Sequence, residues 1–312
     1  MPTDKANNIR NVRYAPPGEY VKDHCFIKEN GIWHLFGISG GIGKSWEDKG
    51  HEERISHSTS SNLIHWQLIG HPVEASRQPG FYDEHMAVAP FIVRNHDGLF
   101  YMFYSGWRHP NKRPNFSWEG NLQSIYVAVS SNLNEWEIPK EIKPKGIIVD
   151  GEPIVGRDPH VLWDAERKRW LLYFTDATTK RGGIVGIAES SDLLHWRNLG
   201  RALTIKSSSA PYDPAESPFV IRHPNSGKYL MLLNWDYSES DDPVKFEVTR
   251  PLPFKCGIER TADGDIGIGA GFAREIISHE GQQYLSGVLG KFGQFVIGFT
   301  PFSWTDRFLT LD

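Results

Sequence analysis

The sequence predicts an all-β fold, and three observations support this prediction. Short runs of β-branched and aromatic residues alternate with polar positions and are separated by Gly, Pro, Asn and Asp, which is typical of strands joined by turns. No segment shows the 3.6-residue apolar spacing of a long helix. A heptapeptide, Ser-Ser-(Asn/Asp)-Leu-x-x-Trp, begins at Ser60, Ser130 and Ser190. Such a repeat indicates four-stranded units of about 60–70 residues.

Five such units account for the chain and predict a five-bladed β-propeller of four-stranded antiparallel blades, with residues 1–312 as a single domain. Their first strands open near five positions, each followed three residues later by Phe or Val: Asp23, Val88, Asp158, Glu216 and Gly269. The predicted first hairpins pair Phe26–Lys28 with Trp33–Ile38, Phe91–Arg94 with Leu99–Ser105, Val161–Asp164 with Trp170–Thr175, Phe219–Arg222 with Tyr229–Asn234, and Phe272–Ile277 with Gln283–Val288. We expect strand sharing between the two termini to close the ring.

Three of the five opening positions are acids, and rotation about a propeller axis would bring Asp23, Asp158 and Glu216 together near that axis. Antiparallel pairing places the loops between second and third strands above the acids, at 39–53, 106–123, 176–182 and 235–244. The substrate-binding candidates are Trp46, His85, Trp107, Arg108, Trp118, Arg157, Asp176 and Trp235. For Trp46, Trp107 and Trp118, sugar stacking and packing at the rim are equally good interpretations.

Other polar and aromatic residues receive simpler interpretations. The acids expected to bind hydroxyl groups or to be solvated are Asp83, Glu84, Asp176, Asp213 and Asp236. The repeated Ser-Ser-x-Leu turns should lie on the face opposite the acids, with Trp66, Trp136 and Trp196 packed between blades. An Asp before Pro, as at Asp158, can also be a simple turn former.

Composition limits the possible partners. The formal charge of −4 comes from interspersed acids and bases, without the basic stripe that binds nucleic-acid phosphates. No run of 18 or more apolar residues predicts a membrane span, and Cys25 and Cys256 give no disulfide framework. Because the first residues lack the apolar segment of a secretory signal, we expect a cytoplasmic protein, unless a signal has been removed. Neither nucleic acid nor membrane is the expected partner, and the oligomeric state stays open.

The motifs resemble those of glycoside hydrolase family 43. The resemblance rests on the blade repeat, on Asp23-x-x-Phe-Ile with Gly31-x-Trp-x-Leu-Phe36, on Ala89-Pro90, on Arg157-Asp158-Pro159 and on Glu216-Ser217-Pro218. The related family 32 is a second match, since its Arg-Asp-Pro and Glu-Cys-Pro motifs are close to the last two tripeptides. Around the first acid the sequence is Lys22-Asp23-His24-Cys25, which lacks the Pro usual in family 43 and the Asn-Asp-Pro-Asn run of family 32.

The resemblance implies an enzyme that hydrolyses glycosidic bonds of an oligosaccharide or glycoside. Cleavage needs a protonated carboxyl for the leaving oxygen and an ionised one for water activation or direct attack. By resemblance, Glu216 is the general acid, Asp23 the general base, and Asp158 the residue that orients the substrate and raises the pKa of the acid. We expect exo action with inversion, release of an arabinofuranosyl or xylosyl unit, and Asp23 and Glu216 carboxyls roughly 6.5–9.5 Å apart.

Two alternatives remain open. A retaining β-fructofuranosidase would use Asp23 as its nucleophile, about 5–5.5 Å from the acid. A propeller could also bind carbohydrate without catalysis, because fold does not fix function. No cofactor is predicted. No metal is predicted either, because Gly269-Ala270-Gly271 stands where family 43 often places a His near a central ion.

Overall fold

A computed structural model describes residues 9–44, 51–108, 122–178, 183–206, 213–261 and 264–312. The strands within these ranges are β1 (Arg13–Tyr14), β2 (Glu19–Glu29), β3 (Ile32–Gly41), β4 (Arg54–Ser60), β5 (Gln67–Glu74), β6 (Met86–Arg94), β7 (Phe100–Arg108), β8 (Leu122–Ser130), β9 (Ile148–Val149), β10 (Glu152–Pro153), β11 (Gly156–Asp164), β12 (Arg169–Asp176), β13 (Ile184–Ser190), β14 (Arg197–Thr204), β15 (Phe219–Arg222), β16 (Tyr229–Leu232), β17 (Asp236–Ser240), β18 (Thr249–Pro251), β19 (Ile258–Thr261), β20 (Gly264–His279), β21 (Gln282–Lys291), β22 (Val296–Trp304) and β23 (Leu309–Leu311). Among the described residues, no helix has the length and apolar character needed to cross a bilayer.

Five sheets form the blades of a propeller, which confirms the predicted all-β architecture. Blades 1, 3 and 4 are the antiparallel sheets β2-β3-β4-β5, β11-β12-β13-β14 and β15-β16-β17-β18. Blade 2 is β6-β7-β8, and isolated bridges from Val129 to Glu137 and from Ser124 to Val155 extend its outer edge. Blade 5 is built on β20, β21 and β22. All five predicted first hairpins are present.

Both ends of the chain complete blade 5. Arg13 and Tyr14 of β1 lie opposite Gly298 and Ile297 of β22, while β23 pairs with the other end of β22 at Phe302–Trp304. Blade 1 is joined to the same blade by a backbone bond from the Val21 N–H to the Phe295 carbonyl, at 3.1 Å. The expected closure of the ring by both termini is therefore confirmed.

Each innermost strand has one left-handed residue other than glycine, within the strand or just before it, and these five residues surround the propeller axis. They are Asp23 (φ 40°), Ala89 (φ 51°), Asp158 (φ 56°), Ser217 (φ 55°) and Ala273 (φ 46°). In blades 1 to 3 the residue lies at a break in the register between first and second strands, as in a β-bulge. A left-handed residue with a Cβ costs roughly 1–2 kcal/mol, so surrounding contacts must hold it.

These left-handed residues correct the predicted alignment of the blades. The equivalent positions are Ala89 instead of Val88, Ser217 instead of Glu216, and Ala273 instead of Gly269. The predicted positions all lie three residues before a Phe or Val. Because bulges insert extra residues, the distance from the left-handed residue to that Phe or Val differs between blades. Glu216 therefore lies one residue before Ser217, which is the blade-4 equivalent of Asp23 and Asp158.

The three repeated turns share one pattern of hydrogen bonds. In the second copy, the Asn132 Oδ1 accepts the N–H groups of Asn134 and Glu135 at 2.9 and 3.0 Å, and the Trp136 ring N–H donates to the Leu133 carbonyl at 3.1 Å. Leu63, Leu133 and Leu193 have φ values of 61°, 65° and 69° and are at most 1% exposed. The turns lie on the side of the propeller where first and second strands are joined, here called the lower face; the opposite side is the upper face.

The repeated tryptophans pack between blades, as predicted. Trp136 of blade 2 meets Phe36 of blade 1 edge to face, at 5.9 Å between ring centroids. Trp196 of blade 3 meets Phe103 of blade 2 at 5.7 Å and 87°. Each ring covers the neighbouring sheet and fixes the blade spacing from the lower side.

Candidate active site

The three predicted acids are positioned by the inner edges of blades 1, 3 and 4 on the upper side of the axis. Asp23 and Asp158 are the bulge residues of β2 and β11. Glu216 lies just before β15, in a turn closed by its own N–H donating to the Asp213 carbonyl at 3.2 Å. Because bulge residues leave the ladder, their side chains are free to turn toward the axis.

Arg157 joins the acids of blades 3 and 4. Its guanidinium lies 3.6 Å from the Asp158 carboxylate, 3.1 Å from Asp213 and 3.4 Å from Glu216. The Arg157 side chain is 7% exposed, against 13% for Asp158 and 22% for Glu216. One largely buried cation therefore holds three carboxylates within ion-pair distance.

Asp158 is fixed by contacts from three blades. Its backbone N–H donates to the Ser105 hydroxyl of blade 2 at 2.9 Å. Its Oδ2 accepts the Thr175 hydroxyl of its own blade and the Ser217 N–H of blade 4, both at 3.2 Å. Because Ser217 directly follows Glu216, the Asp158 carboxylate sets the position of the backbone that carries Glu216.

Burial raises the pKa of all three acids. For Asp23 it reaches about 7, with the Asp158 and Glu52 charges raising it further and Lys22 and Arg157 opposing them. For Glu216, burial outweighs the lowering effect of Arg157, and the charges of Asp158, Asp213 and Asp23 act in the same direction as burial. Neighbouring buried carboxylates cannot all ionise together at low cost. The cluster therefore retains a proton near neutral pH, as acid catalysis requires.

A second ion pair flanks Asp23. Lys22 lies 3.0 Å from the carboxylate of Glu52, which is 3% exposed. The same Glu52 oxygen accepts the Tyr20 hydroxyl at 2.5 Å, and this hydroxyl also contacts the His51 ring. Asp23 and Glu216 both act electrostatically on Lys22.

The inner strands also line a small, partly open axial cavity of about 40 Å³, and Asp23 and Asp158 are among its lining residues. The Nε2 atom of His24 is hydrogen-bonded to the Ser286 hydroxyl at 2.7 Å, and that of His160 to the Val220 carbonyl at 2.8 Å. Burial raises the pKa of Glu275 well above its usual range, which favours the neutral acid. Within the described ranges no three His, Cys, Asp or Glu side chains come together as metal ligands.

The predicted substrate contacts in blade 2 have specific partners. Arg108 donates to Glu84 at 3.2 Å, and the His85 ring lies 3.8 Å from the same carboxylate. Trp107 is only 8% exposed and packs against Ile38, Met86 and Val88. Of the two interpretations of Trp107, its burial favours packing, and its contact with substrate stays a prediction.

The remaining candidates have contacts outside the acid cluster or lie outside the described residues. Asp176 accepts the Thr178 N–H at 2.7 Å and faces a groove of about 380 Å³ along the side of blade 3. Trp235 lies in the 233–235 connection of blade 4, against Gly257, where a Cβ would come within 2.7 Å of its ring nitrogen. The predicted loop 235–244 was wrong, because β17 occupies Asp236–Ser240. Trp46 and Trp118 fall outside the described residues.

Sequence reasoning missed three residues of the cluster. Asp213, expected to bind hydroxyls or solvent, instead binds Arg157 and the N–H groups of Gly183 and Ala215. Lys22 and Glu52 were not considered. One signal was available, because a cation directly precedes the acid in both Lys22-Asp23 and Arg157-Asp158.

Comparisons with known proteins agree with this geometry. The family profile described as "Glycosyl hydrolases family 43" matches residues 47–240, which include Asp158 and Glu216 but not Asp23. No curated protein sequence matches the chain significantly.

Solved structures share the fold at low identity. The chain is similar to a thermostable family-43 glycoside hydrolase, with a TM-score of 0.67, 17% identity and coverage of 98% of this chain and 95% of that one. It is also similar to a GH43_1 enzyme from Xanthomonas citri complexed with xylotriose, with a TM-score of 0.68 and 14% identity. That match covers 99% of this chain and 94% of the other. A third similar structure is a GH32 β-fructofuranosidase from Bombyx mori, with a TM-score of 0.66 and 17% identity. The match covers 99% of this chain and 67% of that enzyme. Since the family profile covers well over half of the residues, the chain belongs to family 43 of the glycosyl hydrolases.

Proposed function

We propose that this family-43 protein is an exo-acting, inverting glycosidase that releases a terminal xylosyl or arabinofuranosyl unit from an oligosaccharide. The observation that carries the proposal is the pair of Asp158 and Glu216 on Arg157, with Asp23 in electrostatic range of Asp158 and Arg157. Burial raises the pKa of each of these three acids. Glycoside hydrolysis needs such a set, in which one carboxyl keeps its proton while another is ionised.

In the proposed mechanism, protonated Glu216 donates to the leaving oxygen, and ionised Asp23 takes a proton from the water that attacks the opposite side of the anomeric carbon. The anomeric configuration inverts. Arg157, 3.4 Å from Glu216, stabilises the carboxylate that Glu216 becomes once its proton has left. Asp158 holds the Ser217 N–H and thereby orients Glu216.

The identity of the sugar and the stereochemistry are supported by other observations. Xylotriose in the related Xanthomonas citri enzyme supports a xylosyl substrate. Inversion is supported by the absence of the Asn-Asp-Pro-Asn run around Asp23. It requires the carboxyls of Asp23 and Glu216 to lie roughly 6.5–9.5 Å apart, which leaves room for the attacking water.

A retaining β-fructofuranosidase is the second candidate. The Arg157-Asp158-Pro159 tripeptide, which resembles the family-32 motif, and the fold shared with the Bombyx mori enzyme favour it. In that case Asp23 attacks the anomeric carbon directly and forms a covalent glycosyl intermediate.

One experiment tests both candidates. The protein is incubated with xylo- and arabino-oligosaccharides, sucrose, inulin and p-nitrophenyl glycosides, and proton NMR follows the anomer formed first. We expect a terminal pentose with inverted configuration, and none from the Asp23→Asn protein purified in the same way. A retained product, or an adduct on Asp23 with a fluorinated substrate, would favour the fructofuranosidase. No hydrolysis of any substrate would refute both.

A further inference from the structure

The catalytic aspartates of blades 1 and 3 share an arrangement that extends beyond the triad. Each follows a basic residue in the chain, and each basic residue is bound to a carboxylate outside the triad. Lys22 precedes Asp23 and binds Glu52 at 3.0 Å. Arg157 precedes Asp158 and binds Asp213 at 3.1 Å.

The two outer carboxylates are held in place independently of the triad. Glu52 is 3% exposed, accepts the Tyr20 hydroxyl at 2.5 Å and has a left-handed backbone (φ 54°). Asp213 accepts the N–H groups of Gly183 and Ala215 at 2.8 and 3.0 Å through one oxygen and binds Arg157 through the other. Neither depends on a flexible exposed chain, so each keeps its cation in a fixed place.

We propose that Glu52 and Asp213 are positioning residues, which anchor Lys22 and Arg157 and so prevent these cations from pairing fully with Asp23 and Glu216. The inference rests on the proposed roles of Asp23 as base and Glu216 as acid. Without the outer carboxylates, each cation would turn toward the nearest catalytic acid and favour its ionised form.

The charged groups around each acid determine the sign of the effect. Asp23 faces Lys22, Asp158, Glu52, Arg157 and Glu216. Glu216 faces Arg157, Asp158, Asp213, Asp23 and Lys22. Removing a negative charge from either set lowers the pKa of the acid that faces it. The Glu52 charge therefore acts on the base and the Asp213 charge on the acid, so the two limbs of the pH profile should respond separately.

The first test replaces Glu52 with Gln and measures kcat/KM on xylobiose against pH. The acidic limb reports ionisation of Asp23, so we expect it to move down by about one pH unit. Lys22→Met should move the same limb up, while Lys22→Arg should leave it nearly in place. These variants decide the question if Glu52→Gln fails to fold.

The second test replaces Asp213 with Asn, which keeps an oxygen for the two N–H groups and removes the charge. The alkaline limb reports the loss of the Glu216 proton, so we expect it to move down by about one pH unit. A merely structural role for Asp213 would lower the melting temperature or the maximal rate without moving this limb.

Matched controls lie on β2 and β11, the strands that contain Asp23 and Asp158. Glu19→Gln removes a carboxylate of β2 that binds Arg54 at 2.7 Å, and Asp164→Asn removes one of β11 that binds Arg167 and Arg169. Both should leave the limbs in place. Limbs that stay fixed in Glu52→Gln and Asp213→Asn, or move up, would overturn the inference.

Carboxyl carbon-13 NMR titration of Asp23 and Glu216 reads the same shifts without substrate. If the wild type hydrolyses no glycoside, the proposed function fails, and this titration still decides the inference. Downward shifts of the Asp23 pKa in Glu52→Gln and of the Glu216 pKa in Asp213→Asn support it, whereas unchanged values overturn it.

Discussion

The two faces of the propeller are held by different kinds of contact. On the lower face, each turn closes through bonds between residues two or three apart, such as Asn132 to Asn134 and Glu135. On the upper face, Asp158 is held by Ser105 and Ser217, which are 53 and 59 residues away in the chain. The lower face therefore forms locally, whereas the acid cluster exists only when several blades are docked. Changes on the lower face should affect stability, and changes on the upper face should affect catalysis.

The largest expected effect is on the upper face. Glu216→Gln removes the proposed proton donor but keeps its shape, so kcat on xylobiose should fall by about 10²–10⁴-fold. An aryl glycoside with an acidic phenol needs little protonation and should lose much less. Equal losses on both substrates would contradict the assignment of Glu216 as the acid.

The same variant should not lose stability. Because the folded pKa of Glu216 is raised, the wild type loses folding stability as pH rises above the unfolded pKa of the group. Gln has no such cost, so urea unfolding should show a difference in favour of Glu216→Gln that grows with pH.

A smaller effect is expected from the lower face. Leu133 is 1% exposed in its turn, and Leu133→Ala should lower the free energy of unfolding by about 2–5 kcal/mol through the cavity it leaves. Leu63 and Leu193, in the same position, should give similar losses. The kcat per folded molecule should be unchanged, and a specific loss of kcat would show that the faces are not independent.

The smallest effect is a pH dependence confined to one copy of the turn. Partial burial opposes ionisation of Asp192, but bonds from the backbone and ring of His195 and from the Leu194 N–H lower its pKa to about 2. A lowered carboxyl pKa stabilises the fold above the unfolded pKa, and this stability is lost as pH falls through the folded pKa. The side chain is 48% exposed, so the contribution is less than about 1 kcal/mol.

Asp192→Asn should therefore lose a little stability at neutral pH. Urea unfolding should show the difference from wild type shrinking between about pH 4 and pH 2. Asn132 holds the same position in blade 2 without a titrating group, so Asn132→Ala should show no such pH-dependent change. A difference for Asp192→Asn that stays constant over this range would contradict the assigned pKa.

The contrast between local and distant contacts also explains what the sequence could predict. The Ser-Ser-x-Leu-x-x-Trp turns were recognisable because each copy contains all the groups that it bonds, and their number and spacing were enough to predict five blades. Asp158 and Glu216 were found through tripeptides. The pairing of Arg157 with Asp213, and of Lys22 with Glu52, depends on residues brought together by the fold.

The exact position of Glu216 relative to the other acids could not be predicted from the sequence for a different reason. The left-handed residues of the inner strands include Ala89, Ser217 and Ala273, which are neither Gly nor Asn. Residue type therefore gives no sign of where a bulge inserts its extra residue, and an alignment by the following apolar residue is shifted in some blades. The burial of Trp107 is similarly a property of its neighbours in blades 1 and 2, not of its own segment.

The seam in blade 5 has a consequence for the order in which the protein is made. β22 pairs with β1 from the N-terminal part of the sequence and with β23 from its C-terminal part, so blade 5 is complete only after β23 has been synthesised. Blades 3 and 4 each come from one continuous segment and can dock earlier, which brings Arg157, Asp158 and Glu216 together in the nascent chain. Asp23 belongs to the blade beside the seam. Arg157, Asp158 and Glu216 can thus come together before blade 5 is complete, while Asp23 takes its final place when the ring closes.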